Sequence, residues 1–167
     1  MLLNRAAHLE GGKLRSGHFY IPRLDRLDTS ECLPLSMIMF VSQFRLLFDA
    51  EVHVPKRLEL ATFEDLADYL HILVLGRTRE TWKFAGFAPF SAARAGVDMT
   101  GADVNDQRFA PYNRRLEEKL ARLLREKSPF YFGTHMDEIG GECLAHRLFI
   151  PMSDVGRSVT HCLLMSV

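Results

Sequence analysis

The chain has 167 residues, 47% of them hydrophobic, and its 21 Lys+Arg balance 21 Asp+Glu to a formal net charge of zero. That length suits one compact core with an appended helical segment rather than two independent domains. A neutral chain gathers no long-range field for a polyanion, so direct binding of nucleic acid is not expected.

Cys32, Cys143 and Cys162 are odd in number and widely separated, with no CxxC or Cys/His ligand spacing. This usage reads as reduced thiols in a cytoplasmic protein. Residues 1–17 are polar and punctuated by Gly11, Gly12 and Gly17, a loosely held lead-in. No continuous apolar stretch precedes Glu10, Lys13 and Arg15, so no secretory signal is expected. His18 to Ile21 is a short strand-capable run stopped by Pro22.

Asp28-Thr29-Ser30-Glu31 pairs a capping side chain with a nearby carboxylate ahead of an apolar run, and predicts a helix over about residues 33–50 with Pro34 in its first turn. Residues 33–48, LPLSMIMFVSQFRLLF, are apolar almost all round a helix. The run is shorter than the ~18–20 residues needed to span a bilayer and is interrupted by Gln43 and Arg45, which predicts a buried or partner-covered helix and no membrane span. A helix apolar on every side must be covered. A homodimer through it is the simplest closure, with Met37, Phe40, Val41 and Phe44 as candidate interface residues.

Val52-His53-Val54-Pro55 breaks that helix, and Thr62-Phe63-Glu64-Asp65 opens a shorter one through about Tyr69. The runs Leu70 to Leu75 and Trp82 to Phe87 flank the polar segment Gly76 to Thr81 and predict a hairpin. Pro89 to Gly96 suits one or two helical turns. Pro111 to Lys127 is the clearest helix: Phe109, Tyr112, Leu116, Leu120, Leu123 and Leu124 recur three or four apart, with charged residues opposite. Ser128-Pro129 ends it. Three strands follow, over 130–139, 143–150 and 157–165, separated by Gly140-Gly141 and by residues 151–156. The predicted fold class is α+β: a five-stranded antiparallel meander with crossover helices on one face and an N-terminal helical extension.

Pro55, Leu66 to Leu75, Trp82 to Gly86, Gly96-x-Asp98-x-Thr100-Gly101 and Leu148-x-Ile150-Pro151-Met152-Ser153-Asp154-x-Gly156 occur in the order seen in a PAS domain. The chain resembles in particular the proteobacterial stand-alone PAS subfamily. The resemblance covers residues 55–167 and leaves 1–54 as an extension. Phe87, where the subfamily usually has threonine, and Met99, where leucine is commoner, are departures. The resemblance implies a cytoplasmic sensory or interaction module of bacterial signal transduction, not an enzyme, which acts by contact with a signalling protein. Flavin is not expected, because Pro89 to Ala95 contains no cysteine, and haem is not expected, because Pro111 to Lys127 contains no histidine.

A small apolar ligand would lie between the sheet and the crossover helices, against Leu73, Phe84, Phe87, Phe90, Phe109, Tyr112 and Leu148. The plainer alternative is that these side chains simply fill the core. A carrier or small enzyme would need polar groups inside that cup, for which Tyr112, His71 and His146 are the candidates, and a ligand-free structural adaptor is the third reading. No metal site is expected. If Gly140-Gly141 forms a two-residue turn, however, His135 faces His146 across the hairpin, a candidate zinc or proton-sensitive pair whose bland alternative is an ordinary sheet surface. Asp98-x-Thr100-Gly101 resembles the aspartic-protease core only loosely, in a single copy without a paired carboxylate, and reads as a backbone-shaping turn. Ser153 to Gly156 lacks a nucleophile-elbow context, and Glu138 and Glu142 flank a turn as solvated charges. There is no nucleotide-loop or HExxH motif.

Overall fold

The computed structural model describes residues 14–15, 33–48, 57–58, 60–78, 81–109, 115–138, 141–152 and 158–167. The strand proposed at His18–Ile21, the helix-start residues 28–31, Pro55, Tyr112 and the Ser153–Gly156 connection lie outside these residues.

β1 (Leu14–Arg15) pairs antiparallel with β2 (Arg57–Leu58). Between them lies α1 (Leu35–Phe48). Pro34 sits just ahead of the helix rather than inside it, its carbonyl accepting the N–H groups of Met37 (2.9 Å) and Ile38 (3.1 Å). The segment expected to be a short α-helix before the first hairpin is a 3-10 helix over Leu60–Tyr69. Then come β3 (Leu70–Leu75), β4 (Trp82–Gly86), α2 (Pro89–Ala95), a 3-10 turn at Gln107–Phe109, α3 (Leu116–Glu126), β5 (Phe130–Glu138), β6 (Gly141–Met152) and β7 (His161–Ser166).

β3 to β7 form one antiparallel sheet in the order β4-β3-β7-β6-β5. The simple meander expected from the strand sequence is therefore corrected. β4 and β5, consecutive in the chain, stand at opposite edges, joined by a crossover that carries α2 and α3, and β7 enters the middle. Two features account for this order. The outer edge of β4 is already occupied, since Phe84 N–H donates to Ala102 O (3.0 Å), Gly101 N–H to Phe84 O (2.7 Å) and Val104 N–H to Trp82 O (2.8 Å). An edge paired in this way accepts no further strand. β7 meanwhile reads HCLLMS with its four central residues all buried, the signature of a strand covered on both faces.

Alternation along the strands divides the core in two. On one face Leu70, Ile72, Leu148, Ile150, Met152, Leu163 and Met165 pack against Met37, Phe40, Val41 and Phe44 of α1 and Phe63 and Leu66 of the 3-10 helix. Phe63 contacts both α1 rings, at 4.9 Å from Phe40 and 6.3 Å from Phe44, centroid to centroid. The other, inner face carries Leu73, Trp82, Phe84, Phe149, Cys162 and Leu164 under Leu116, Leu120 and Leu123 of α3. The helix assigned to the N-terminal extension thus shares a core with the sheet.

The β5–β6 register also departs from expectation. Glu138 pairs with Gly141, so the connection falls one residue earlier than Gly140-Gly141, and His135 pairs with Leu144 while His146 pairs with Gly133. The expected His135–His146 facing pair does not form. Hydrophobic alternation cannot tell this register from the expected one, because moving the partner by two residues keeps every side chain on its own face.

Candidate functional site

The inner face beneath α2 is the candidate site, and it centres on His71. Its neighbour Ile72 belongs to the α1 core, so alternation on β3 turns His71 and Leu73 inward together. A β-bulge between Ile72 and Leu73 in the β3–β4 pairing lies next to it, a device that re-aims nearby side chains. His71 is 4% exposed, the buried polar side chain of the described core. Its ring lies 4.7 Å from Phe87, edge on, and 5.8 Å from Phe84, while Phe84 and Phe87 meet in a T at 5.0 Å.

Both ring nitrogens are engaged. Ala88 N–H donates to His71 Nδ1 at 3.2 Å, and Nε2 lies 3.2 Å from Ser91 Oγ. A nitrogen that accepts carries no proton in the neutral ring, so the network assigns the proton to Nε2, which donates to Ser91. Burial in the aromatic surround, and then the positive charge of Arg147, push the His71 pKa down to about 3. Arg147 stands on the same face of β6 as Phe149, paired across the sheet with Phe132 and Ser166, and its own pKa is lowered by burial. At neutral pH His71 is uncharged.

This tautomer decides a question of chemistry. A hydroxyl within hydrogen-bond reach of an imidazole is the geometry of a nucleophile and its base. Here the nitrogen facing Ser91 already holds the proton, and a group held near pH 3 is a poor base at neutrality. In this tautomer His71 Nε2–H donates to the Ser91 hydroxyl and so ties α2 to β3.

The residues expected to line a ligand cup are only partly brought together. Leu73, Phe84 and Phe87 share the inner face. Leu148 is buried on the opposite face, under α1, because alternation on β6 gives the inner position to Phe149. Phe90 is 41% exposed and packs on Tyr69 at 4.9 Å, outside the cup. Phe109 ends the 3-10 turn at Gln107–Phe109, and its side chain lies outside what is described. The four candidate interface residues, Met37, Phe40, Val41 and Phe44, are buried in the chain's own core, and the outward side of α1 instead carries Leu35 (72% exposed), Ile38 (48%) and Met39 (48%).

The Asp98 segment is a turn. Asp98 Oδ1 accepts the Thr100 N–H (2.9 Å) and the Thr100 hydroxyl (2.7 Å), and Thr100 Oγ1 accepts the Phe87 N–H at 3.1 Å. Gly96 (φ 70°) and Gly101 (φ 86°) take the left-handed conformations that bracket it. The carboxylate is thereby spent on backbone geometry.

His146 is bonded through Nδ1 to the Tyr131 hydroxyl, with the two rings stacked at 5.9 Å. Gly133 lies across from His146, and a Cβ there would come 2.9 Å from Tyr131 Oη. The Cys162 thiol is raised in pKa by burial and is inert. Among the described residues no group of three or more His, Cys, Asp or Glu could hold a metal ion, and no helix is long and apolar enough to cross a membrane.

Sequence reasoning named His71 as a polar candidate, but not its tie to α2. The partner atoms are a backbone N–H and a serine hydroxyl, neither of which has a sequence signature. Comparison with family models, curated proteins and solved structures gives no match.

Proposed function

We propose that the chain is a PAS-type sensory or interaction module of cytoplasmic signal transduction, which acts by contact and without turnover. The observation that carries this reading is the division of labour across one sheet. An aromatic inner face sits under the crossover helices, while the outer face is covered by α1, whose solvent side exposes Leu35, Ile38 and Met39. The motif order from Leu66 to Gly156 and the five-stranded antiparallel sheet with its crossover are the features that support the PAS assignment.

In this reading a small apolar ligand, or a partner, acts at the inner face beside His71, Phe84 and Phe87. The signal crosses the sheet through alternating neighbours: His71 and Leu73 face inward, while Leu70 and Ile72 lie under Met37 and Phe40. Close packing transmits such a shift because it leaves no slack to absorb it. Output leaves through the exposed side of α1, in the first instance to a second copy in a two-fold arrangement.

The alternative of a carrier or minor enzyme has the Ser91–His71 contact as its best feature, and the proton on Nε2 speaks against the enzymatic form. Hydrogen exchange on the full chain tests the proposed coupling. Leu73→Val, which touches the inner core alone, should change exchange in α1 as well as in β3. A change confined to the inner face would remove the basis for signalling across the sheet.

A further inference from the structure

We propose that the inner face of the sheet ends in a binding site for a small carboxylate, built from Arg147 on β6, Ser166 on β7 and Lys119 on α3 around the Phe132 ring of β5. This goes beyond the sensory reading and stands whether or not binding is relayed to α1.

The strand register divides the inner face into rows that run across the sheet. One row is His71, Leu164, Phe149 and Phe130, each paired with the next from β3 to β5, and all four are buried. The next row, toward the C-terminal end of β7, is Ser166, Arg147 and Phe132, again paired from strand to strand, and all three are only partly buried. The inner face is thus filled along the first row and reachable by solvent along the second. It is the second row that carries a guanidinium and a hydroxyl.

Helix α3 adds another cation. Its spacing buries Leu116, Leu120 and Leu123 and leaves Lys119 and Arg122 on the flank over β5. The Lys119 ammonium lies 3.7 Å from the Phe132 ring centroid, and the Arg122 guanidinium 4.3 Å from that of Phe130. Arg122 has its own countercharge, since its Nε is 2.9 Å from Glu126 Oε2. Among the described residues the contact of the half-buried Lys119 ammonium is the ring face. Phe132 therefore has a cation above it and a second, Arg147, directly across the strand pair.

This arrangement has a chemical preference. Two cations beside one ring raise each other's energy, and the burial that lowers the Arg147 pKa adds to the cost. An anion between them relieves both. Arg147 is already engaged, but five N–H donors in a planar fork can keep a partner and still present two parallel bonds to a carboxylate. Lys119 supplies a bond from the α3 side, and the Ser166 hydroxyl one from β7. The class follows from the floor of the site: Phe130, Phe132 and Phe149 make it apolar, and stripping water from a dianionic phosphate costs more than from the single charge of a carboxylate.

Titration of the full-length protein followed by proton–nitrogen NMR at neutral pH and constant ionic strength tests this, with sodium propionate as the probe and propionamide as its uncharged counterpart. Propionate should give saturable shifts centred on the amides of Lys119, Phe132, Arg147 and Ser166, and propionamide should give none. Lys119→Met, which keeps an apolar stem on Phe132 and removes the charge, should weaken propionate binding by roughly tenfold, as expected for one lost hydrogen bond to a charged group. The proposal is overturned if propionate gives no saturable shifts at these four residues, if propionamide matches it, or if the folded Lys119→Met protein binds it as the wild type does. Inorganic phosphate binding more tightly than propionate would overturn the carboxylate assignment.

Discussion

Acidification should destabilise the fold through His71, by an amount that can be worked out. The folded-state pKa is about 3 against 6.5 for the exposed residue, lowered first by burial and then by Arg147. The depressed value means that the unfolded chain takes up the proton more readily. The stabilisation is complete above about pH 6.5 and is lost progressively as pH falls from there toward about 3. At about pH 5 the unfolded histidine is charged and the folded one is not, and a gap of about 1.5 pH units at ~1.36 kcal/mol each gives a loss of about 2 kcal/mol relative to about pH 8. The groups facing the ring are Phe84, Phe87, Ala88 and Ser91, with Arg147 supplying the charge.

Urea unfolding followed by the fluorescence of Trp82, the single tryptophan and a buried one, measures this directly. The control is His71→Gln, whose amide can accept from Ala88 N–H and donate to Ser91 Oγ without titrating. Subtracting the variant's pH dependence removes the contribution of every other group, including Asp106, whose carboxyl is held at about 2 by its hydrogen bonds to Arg108. The wild type should lose about 2 kcal/mol more than the variant between about pH 8 and pH 5. Identical pH profiles would refute the buried, neutral histidine on which the site is built.

Other expectations concern the two faces and the turns. Phe40→Ala should cost roughly 3–5 kcal/mol as a core truncation in the same urea assay. Gly101→Ala should destabilise by about 1–2 kcal/mol in thermal or urea unfolding, because φ at this residue is 86°. Gly133→Ala, in a strand where alanine is ordinarily the better residue, should instead lose about 1 kcal/mol by displacing Tyr131 Oη from His146. That loss should largely vanish in a Tyr131→Phe background, a cycle readable by thermal melts.

The strands and the long charged helix were legible because period-2 and period-3.6 patterns survive in single stretches of sequence, as at Trp82–Gly86 and Leu116–Glu126. The turn at Gly96–Gly101 was legible from its Asp, Thr and Gly chemistry. Three things were not. The strand order depends on the Gly101–Val104 segment taking the edge of β4, a long-range choice with no local signal. The β5–β6 register depends on where the connection falls, and the alternation of residues 141–150 is equally satisfied two residues away. The orientation of α1 could not be read from a helix apolar on both sides: Met37, Phe40, Val41 and Phe44, named as interface candidates, face the sheet. Leu148 and Phe149 illustrate the same limit, since either could have been the inner residue until the face covered by α1 was known.

The claim that output passes by contact through the outward side of α1 is tested most directly by native mass spectrometry of the full chain, wild type against Ile38→Glu. The expected result is a wild-type species at twice the 19.1 kDa chain mass that the substitution converts to a folded monomer. A wild type that is monomeric at the same concentration, with a spectrum indistinguishable from that of the variant, contradicts it.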